Sequence, residues 1–185
     1  MLYVLCGPSG SGKTTFLKLL FKEFSDLKII DLYVFRDNLR SETELGRVEK
    51  DKSEFDVLKD TFSNIFTYGN DIYGLKFPSK KNINESYFII DYPGEYPECK
   101  EFYNIPWKGI LVLPKIELQL KERLTNCNRI KRIKSSLIEY NECKIELNKS
   151  IYSFPKWSVI INNEIRDMED YIEGIKTVAN IVYKK

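Results

Sequence analysis

Short apolar runs recur along the chain, separated by longer stretches in which polar and apolar residues mix. The runs have the length and the β-branched and aromatic content of buried strands. They are 2–6 (LYVLC), 27–34 (LKIIDLYV), 87–91 (YFIID), 109–113 (GILVL) and 158–161 (SVII). The chain is therefore predicted to contain a sheet built from these segments.

Between the runs, apolar residues return at the spacing of an amphipathic helix. The predicted helices are 13–24, 53–66, 116–124, 130–148 and 167–184. Residues 36–52 are predicted to be an exposed loop, and 68–78 a turn-rich segment. Alternating strands and helices favour an α/β fold with a mainly parallel sheet, here as a single domain spanning residues 1–185.

Composition narrows the function without identifying it. The 185 residues are 43% apolar and carry 29 basic and 27 acidic side chains, a net charge of +2 that does not favour nucleic acid or membrane partners. No apolar run approaches membrane-spanning length, and the first strand leaves no room for a signal peptide. The four cysteines are widely separated, which is typical of free thiols in a cytoplasmic protein. The chain has no histidine, so catalytic triads with a histidine and metal sites with histidine ligands are excluded.

The sequence GPSGSGKT, residues 7–14, lies between the first predicted strand and the first predicted helix. This is the G-x-x-x-x-G-K-[ST] pattern in the order that a phosphate-binding loop requires. Glycines let the backbone N–H groups curl around phosphate oxygens, and Lys13 is expected to reach the terminal phosphates. The hydroxyl of Thr14 is the expected Mg²⁺ ligand. The expected ATP-binding residues are Gly7, Ser9, Gly10, Ser11, Gly12, Lys13, Thr14 and Thr15.

Two groups of arginines lie apart from this loop. Moving a phosphoryl group between two anionic substrates requires positive charge on both, so separate basic clusters are expected. Either group could instead belong to a solvated surface. The groups are Arg36, Arg40 and Arg47, and Arg123, Arg129 and Arg132.

The order of these motifs resembles the guanylate kinase family over nearly the whole chain. The loop GPSGSGKTT matches that family's loop, and Tyr73-Gly74 resembles its Y-Y-G element. Asp91 resembles the second aspartate of its D-x-D-x-Q-G strand end, and Asn162 opens a segment resembling its N-D-D. The resemblance implies a three-layer P-loop kinase fold, with a small acceptor-binding insert at about 35–85 and a short lid at about 123–132.

The resemblance also implies roles. Arg36 and Arg40 would clamp the acceptor's phosphate together with Tyr73, and Asp91 would face the acceptor. Tyr73 could equally serve packing, and Asp91 could hold a metal-bound water or cap its strand. Among the remaining implied roles, Arg47 replaces a phosphate-binding tyrosine, Asn162 lies near the donor adenine or is a turn residue, and the catalytic residues are Lys13, Arg123, Arg129 and Arg132.

The chain departs from the family where guanine is read. Asn64 stands at the position aligned with the guanine-reading glutamate, and Leu75 and Leu32 stand at positions of hydroxyl residues. A carboxylate accepts two hydrogen bonds from guanine, which an amide cannot do in the same way.

The leading hypothesis is an ATP- and Mg²⁺-dependent kinase acting on a nucleoside monophosphate, GMP-like, as a monomer or homodimer. The alternatives are a kinase for a non-nucleotide acceptor and a nucleotide-binding or regulatory module with little turnover. A GTPase-like switch is a further alternative, because Asp91-Tyr92-Pro93-Gly94 fits D-x-x-G. The chain has no N-K-x-D base-reading motif, and a nucleic-acid role for the basic stretch 121–134 ranks lowest.

Overall fold

The computed structural model describes residues 2–39, 44–79, 82, 87–92, 107–114, 116–126, 128–150, 157–163 and 176–177, with side chains except at 146–150 and 157–163. Its strands are β1 (Leu2–Cys6), β2 (Leu27–Ile29), β3 (Leu32–Arg36), β4 (Arg47–Asp51), β5 (Asn64–Tyr68), β6 (Asp71–Leu75), β7 (Tyr87–Asp91), β8 (Trp107–Pro114) and β9 (Trp157–Asn163). Its helices are α1 (Lys13–Glu23), α2 (Phe55–Leu58), α3 (Glu117–Asn126) and α4 (Ile133–Ser150). Single 3-10 turns flank α2 and precede α4.

The larger sheet is parallel throughout, with the strand order β2-β7-β1-β8-β9. Side chains alternate along β1, so Tyr3 and Leu5 pack with α1 in one core cluster. Leu2, Val4 and Cys6 belong to the other cluster, together with buried residues of α3 and α4. The result is a helix–sheet–helix arrangement with a mainly parallel central sheet, as expected from the alternating pattern.

A second sheet of four strands, in the order β4-β3-β6-β5, accounts for the predictions that were wrong. The run 27–34 is not one strand, because the chain leaves the larger sheet after Ile29 and enters the smaller one at Leu32. The predicted loop 36–52 contains β4, and the turn-rich segment 68–78 contains β6.

The predicted helix 53–66 was also wrong, since it ends early and is followed by β5. Its aromatic residues have helical spacing but serve different contacts. Phe62 packs on Phe35, with ring centroids 5.7 Å apart, whereas Phe66 stacks on Tyr73 at 5.3 Å. Pairing of β5 with β6 across the turn at Gly69, where φ is +62°, therefore outweighs the helical pattern.

The remaining elements lie within a few residues of their predicted positions. The predicted helix 167–184 lies outside the described residues, apart from a helical pair at 176–177. Among the described residues, no helix combines the length and the apolar character that crossing a membrane requires.

Candidate functional site

The glycine-rich loop joins β1 to α1 in a conformation that depends on its glycines. The backbone φ angles are +140° at Gly7, +83° at Gly10 and +98° at Gly12. Residues that carry a side chain strongly disfavour positive φ angles, so this loop conformation requires glycine at each of the three positions. A hydrogen bond from Ser11 N to Pro8 O (3.1 Å) tightens the turn.

Neighbouring elements press closely on the loop. A Cβ at Gly7 would come within 2.2 Å of the carbonyl oxygen of Val112 on β8. One at Gly10 would lie 3.0 Å from Cγ of Leu124 on α3. The loop is therefore held from both sides, by the sheet and by α3, with its open side facing a cleft.

The Lys13 ammonium folds back along this loop. It donates hydrogen bonds to the carbonyl oxygens of Gly7 (2.5 Å) and Pro8 (3.4 Å). The charge therefore already lies over the loop, as expected for a lysine that contacts terminal phosphates.

Arg123 also binds the loop backbone. Its NH1 donates to the carbonyl oxygens of Ser11 (2.9 Å) and Gly10 (3.4 Å). A guanidinium on these carbonyls neutralises the partial negative charge that they present and orients the loop. Arg123 thus lies in the predicted region, and in this structure it contacts the loop itself.

The loop opens into a cleft of about 1000 Å³ between the larger sheet, the smaller sheet and α4. Residues from all three regions line it, and the predicted site residues among them are Ser9, Gly10, Ser11, Gly12, Lys13, Thr14, Thr15, Arg47, Tyr73, Asp91, Arg123, Arg129 and Arg132. The fold therefore brings predicted site residues together from positions up to 123 apart in the chain, from Ser9 to Arg132.

Arg47 on β4 is a cation on the side of the cleft that the smaller sheet forms. Its guanidinium lies 3.3 Å from Asp91 Oδ2 and 3.2 Å from Glu44 Oε2. Burial alone would lower the pKa of Arg47, but the negative charges around it, above all those of Asp91 and Glu44, together outweigh burial, so this pKa is raised. Glu44 also faces Arg129 at 3.7 Å, and so links the two predicted arginine groups.

Arg36 lies elsewhere, buried in the smaller sheet. Its guanidinium forms ion pairs with Glu49 (3.2 Å) and Asp71 (2.8 Å). Its charge is thereby neutralised by the protein, in contrast to the acceptor-clamping position predicted for it. Arg40 lies outside the described residues, and Asn162 lies in β9 with its side chain also outside them.

The three positions where the chain departs from the guanine-reading pattern are neighbours in the smaller sheet. Leu32 on β3 is paired in register with Leu75 on β6, which is paired with Asn64 on β5. Both leucines are fully buried and Asn64 is 8% exposed. These side chains therefore form a row in the packed interior of the smaller sheet.

Sequence reasoning missed Glu44, Tyr68, Asp71 and Glu139, which also line the cleft. Glu139 on α4 accepts a hydrogen bond from the backbone N–H of Ser9 at 3.1 Å. Its other carboxylate oxygen accepts a hydrogen bond from the Tyr68 hydroxyl. The signal in the sequence was that Glu139 lies two helical turns beyond Arg132, on the same predicted helix.

A phosphate-binding loop at the carboxyl end of a parallel sheet, facing a cleft with a second sheet, defines a P-loop protein of the nucleotide kinase-like architecture. The chain is similar to the crystal structure of guanylate kinase from Anaplasma phagocytophilum, with a TM-score of 0.64 and 17% identity, covering 98% of this chain and 84% of that one. The guanylate kinase-like fold predicted from the motifs is thereby confirmed.

The sequence comparison is narrower. The chain is 30% identical over 102 residues to an adenylate kinase from Caldanaerobacter subterraneus subsp. tengcongensis. The match covers 55% of this chain and 43% of that protein, so it spans less than half of that relative's length. No protein-family model matches the chain.

Proposed function

We propose that the chain is an ATP- and Mg²⁺-dependent phosphotransferase acting on a nucleoside monophosphate. The observation that carries the proposal is one cleft in which the phosphate-binding loop with Lys13 faces Arg47 of the smaller sheet. Phosphoryl transfer requires little more of a protein than to hold two anions in line and neutralise charge between them.

The donor nucleotide is assigned to the loop. Backbone N–H groups of the loop and the N-terminus of α1 would bind its phosphate oxygens. Lys13 would transfer its hydrogen bonds from the loop carbonyls to phosphate oxygens, a short movement of a flexible side chain. Arg129 and Arg132 line the cleft where they can contact the transferring group, and Arg123 holds the loop.

The residues present also fit a magnesium ion. Thr14 lines the cleft at the first turn of α1, and Asp91 Oδ1 is buried without a hydrogen-bond partner among the described residues. Hydroxyl and carboxylate oxygens are the ligands that Mg²⁺ takes in proteins. Held by Thr14 and Asp91, such an ion would supply positive charge that offsets the negative charge of the phosphates.

The acceptor is assigned to the side facing the smaller sheet. Arg47 is the cation assigned to its phosphate, because Arg47 lines the cleft together with Tyr73 and Asp91, whereas Arg36 does not line it. The phosphate would take over part of the ion pairing that Arg47 now makes with Asp91 and Glu44. Arg129 lies within reach of the same Glu44 carboxylate. No general base is needed, since an acceptor phosphate is already an anion. Arg40 remains a candidate from the sequence.

A coupled assay of ATP consumption with Mg²⁺ and a panel of nucleoside monophosphates tests the proposal. Acceptor-dependent turnover is expected, and Lys13→Ala should abolish it. Lys22→Ala is the matched control, because Lys22 lies on the same helix but is exposed away from the cleft. ATP binding without turnover on any nucleoside monophosphate would refute the assignment of a monophosphate as the acceptor.

A second candidate is a kinase for a non-nucleotide phosphorylated acceptor. The buried row of Leu32, Leu75 and Asn64 favours this second candidate. These positions align with the guanine-reading residues of the guanylate kinase family, and here they are buried in the smaller sheet. Turnover with a phosphorylated sugar or alcohol, and none with monophosphates, would establish this alternative.

A further inference from the structure

Glu139 is a carboxylate placed on the phosphate-binding loop by a distant part of the chain. Its Oε2 accepts the backbone N–H of Ser9 at 3.1 Å, across 130 residues of sequence. Its Oε1 accepts the hydroxyl of Tyr68, the last residue of β5. One side chain thus links the loop, α4 and the smaller sheet.

Amide groups of such a loop bind the oxygens of phosphate anions. A carboxylate is also an anion with oxygen acceptors, and an N–H bonded to it is not free for a phosphate oxygen. A carboxylate held at this partly buried position also repels a polyphosphate, because charges there are screened less than in bulk water. Donor binding and the present position of Glu139 therefore exclude each other at the Ser9 amide.

We propose that Glu139 competes with the phosphates of the donor nucleotide for the Ser9 amide, and that Tyr68 holds Glu139 in the competing position. The inference rests on the proposed function only in that a nucleoside triphosphate binds the loop. Donor binding displaces the Glu139 carboxylate and releases its contact with Tyr68 on the acceptor side. Loading of the donor site is thereby communicated to the smaller sheet.

The affinity of the full chain for ATP with Mg²⁺, measured by isothermal titration calorimetry, tests this idea. The apparent affinity of a site is reduced by the fraction of molecules in which it is blocked. A charge-assisted hydrogen bond gives way to a weaker neutral one in Glu139→Gln, so ATP binding should become roughly threefold to tenfold tighter. Tyr68→Phe should tighten it less, and the double variant should bind like Glu139→Gln alone, since Tyr68 acts through Glu139.

Glu142→Gln is the matched control, because Glu142 lines the same cleft three residues along the same helix and carries the same charge. If Glu142→Gln tightens ATP binding as much as Glu139→Gln does, only the summed charge matters and the proposal is wrong. If Glu139→Gln weakens binding, Glu139 supports the loop instead, and the proposal is equally wrong.

The outcomes separate this inference from the proposed function. If the wild type binds ATP and Lys13→Ala does not, the donor site is established, whatever the affinity of the Glu139 variants. Binding by Glu139→Gln together with none by the wild type would be the strongest support for competition. Absence of ATP binding in every variant would overturn both ideas.

Discussion

Replacing Arg36 separates a structural role from the substrate-binding role predicted for it. Arg36 lies one step beyond the Phe35–Ile72 pair of β3 and β6, which places it opposite Asp71. Its ion pairs join it to Asp71 at 2.8 Å and to Glu49 at 3.2 Å, with side-chain exposures of 24% and 11% for the two carboxylates. Arg36→Met would leave both carboxylates without their cation.

Removing one partner of a buried ion pair costs about 3–5 kcal/mol, mostly because the remaining charge is left uncompensated. Asp71 keeps some access to water, so we expect the lower end, about 3 kcal/mol. In a protein of this size, that loss lowers the melting temperature by about 6–12 °C. The Michaelis constant for the acceptor should change little, because the charge is already neutralised inside the sheet.

Urea denaturation of wild type and Arg36→Met gives the change in unfolding free energy. Adding Glu49→Gln should recover part of the loss, since one uncompensated carboxylate is removed. Lys59→Met is the control, because the Lys59–Asp56 pair is exposed (45% and 84%) and such pairs contribute about 0–1 kcal/mol. Unchanged stability with a large rise in the Michaelis constant for the acceptor would refute the structural role and restore the predicted one.

Two further predictions concern the smaller sheet. Gly74→Ala would place a Cβ 2.7 Å from the ring of Phe62, so we expect a loss of about 1–3 kcal/mol by overpacking. Gly69→Ala meets no atom within 4 Å but has φ +62°, so thermal denaturation should show about 1–2 kcal/mol of backbone strain alone. Unchanged or raised stability in Gly74→Ala would contradict the clash. Hydrogen bonds from Ser53 lower the pKa of Asp51 in the folded protein. The ionised carboxylate therefore stabilises the fold above the ordinary pKa of 3.8, and this stabilisation is lost as the pH falls through the lowered pKa. Asp51→Asn keeps an acceptor oxygen but does not titrate, so the urea midpoint of the variant should fall less steeply with decreasing pH than that of the wild type. The same fall in both proteins would contradict this expectation.

Much of the geometry of the glycine-rich loop could be predicted from the sequence because the loop is local. Gly7 to Thr14 follow one another in the chain, and the order strand, glycine-rich turn and helix leaves little freedom. The left-handed glycines and the position of Lys13 over the loop follow from that order.

The side of the cleft that the smaller sheet forms could not be predicted because it depends on how a second sheet pairs. The sequence places Arg36 and Arg47 in one cluster, whereas pairing of β3 between β4 and β6 buries the first and leaves the second lining the cleft. The break after Ile29 has no glycine or proline to mark it, so the apolar pattern runs through two strands of different sheets. Glu139 was missed because its partners come from distant parts of the chain.

The parallel larger sheet has a consequence for the order in which the molecule is assembled. Leu2 of β1 pairs with Phe88 on one side and Trp107 on the other, so the two neighbours of the strand that carries the loop lie 86 and 105 positions further along the chain. The smaller sheet, by contrast, is complete within residues 32–75 and forms through short-range pairing. Because distant pairings form more slowly than local ones, we expect the glycine-rich loop to acquire its shape after the smaller sheet has formed.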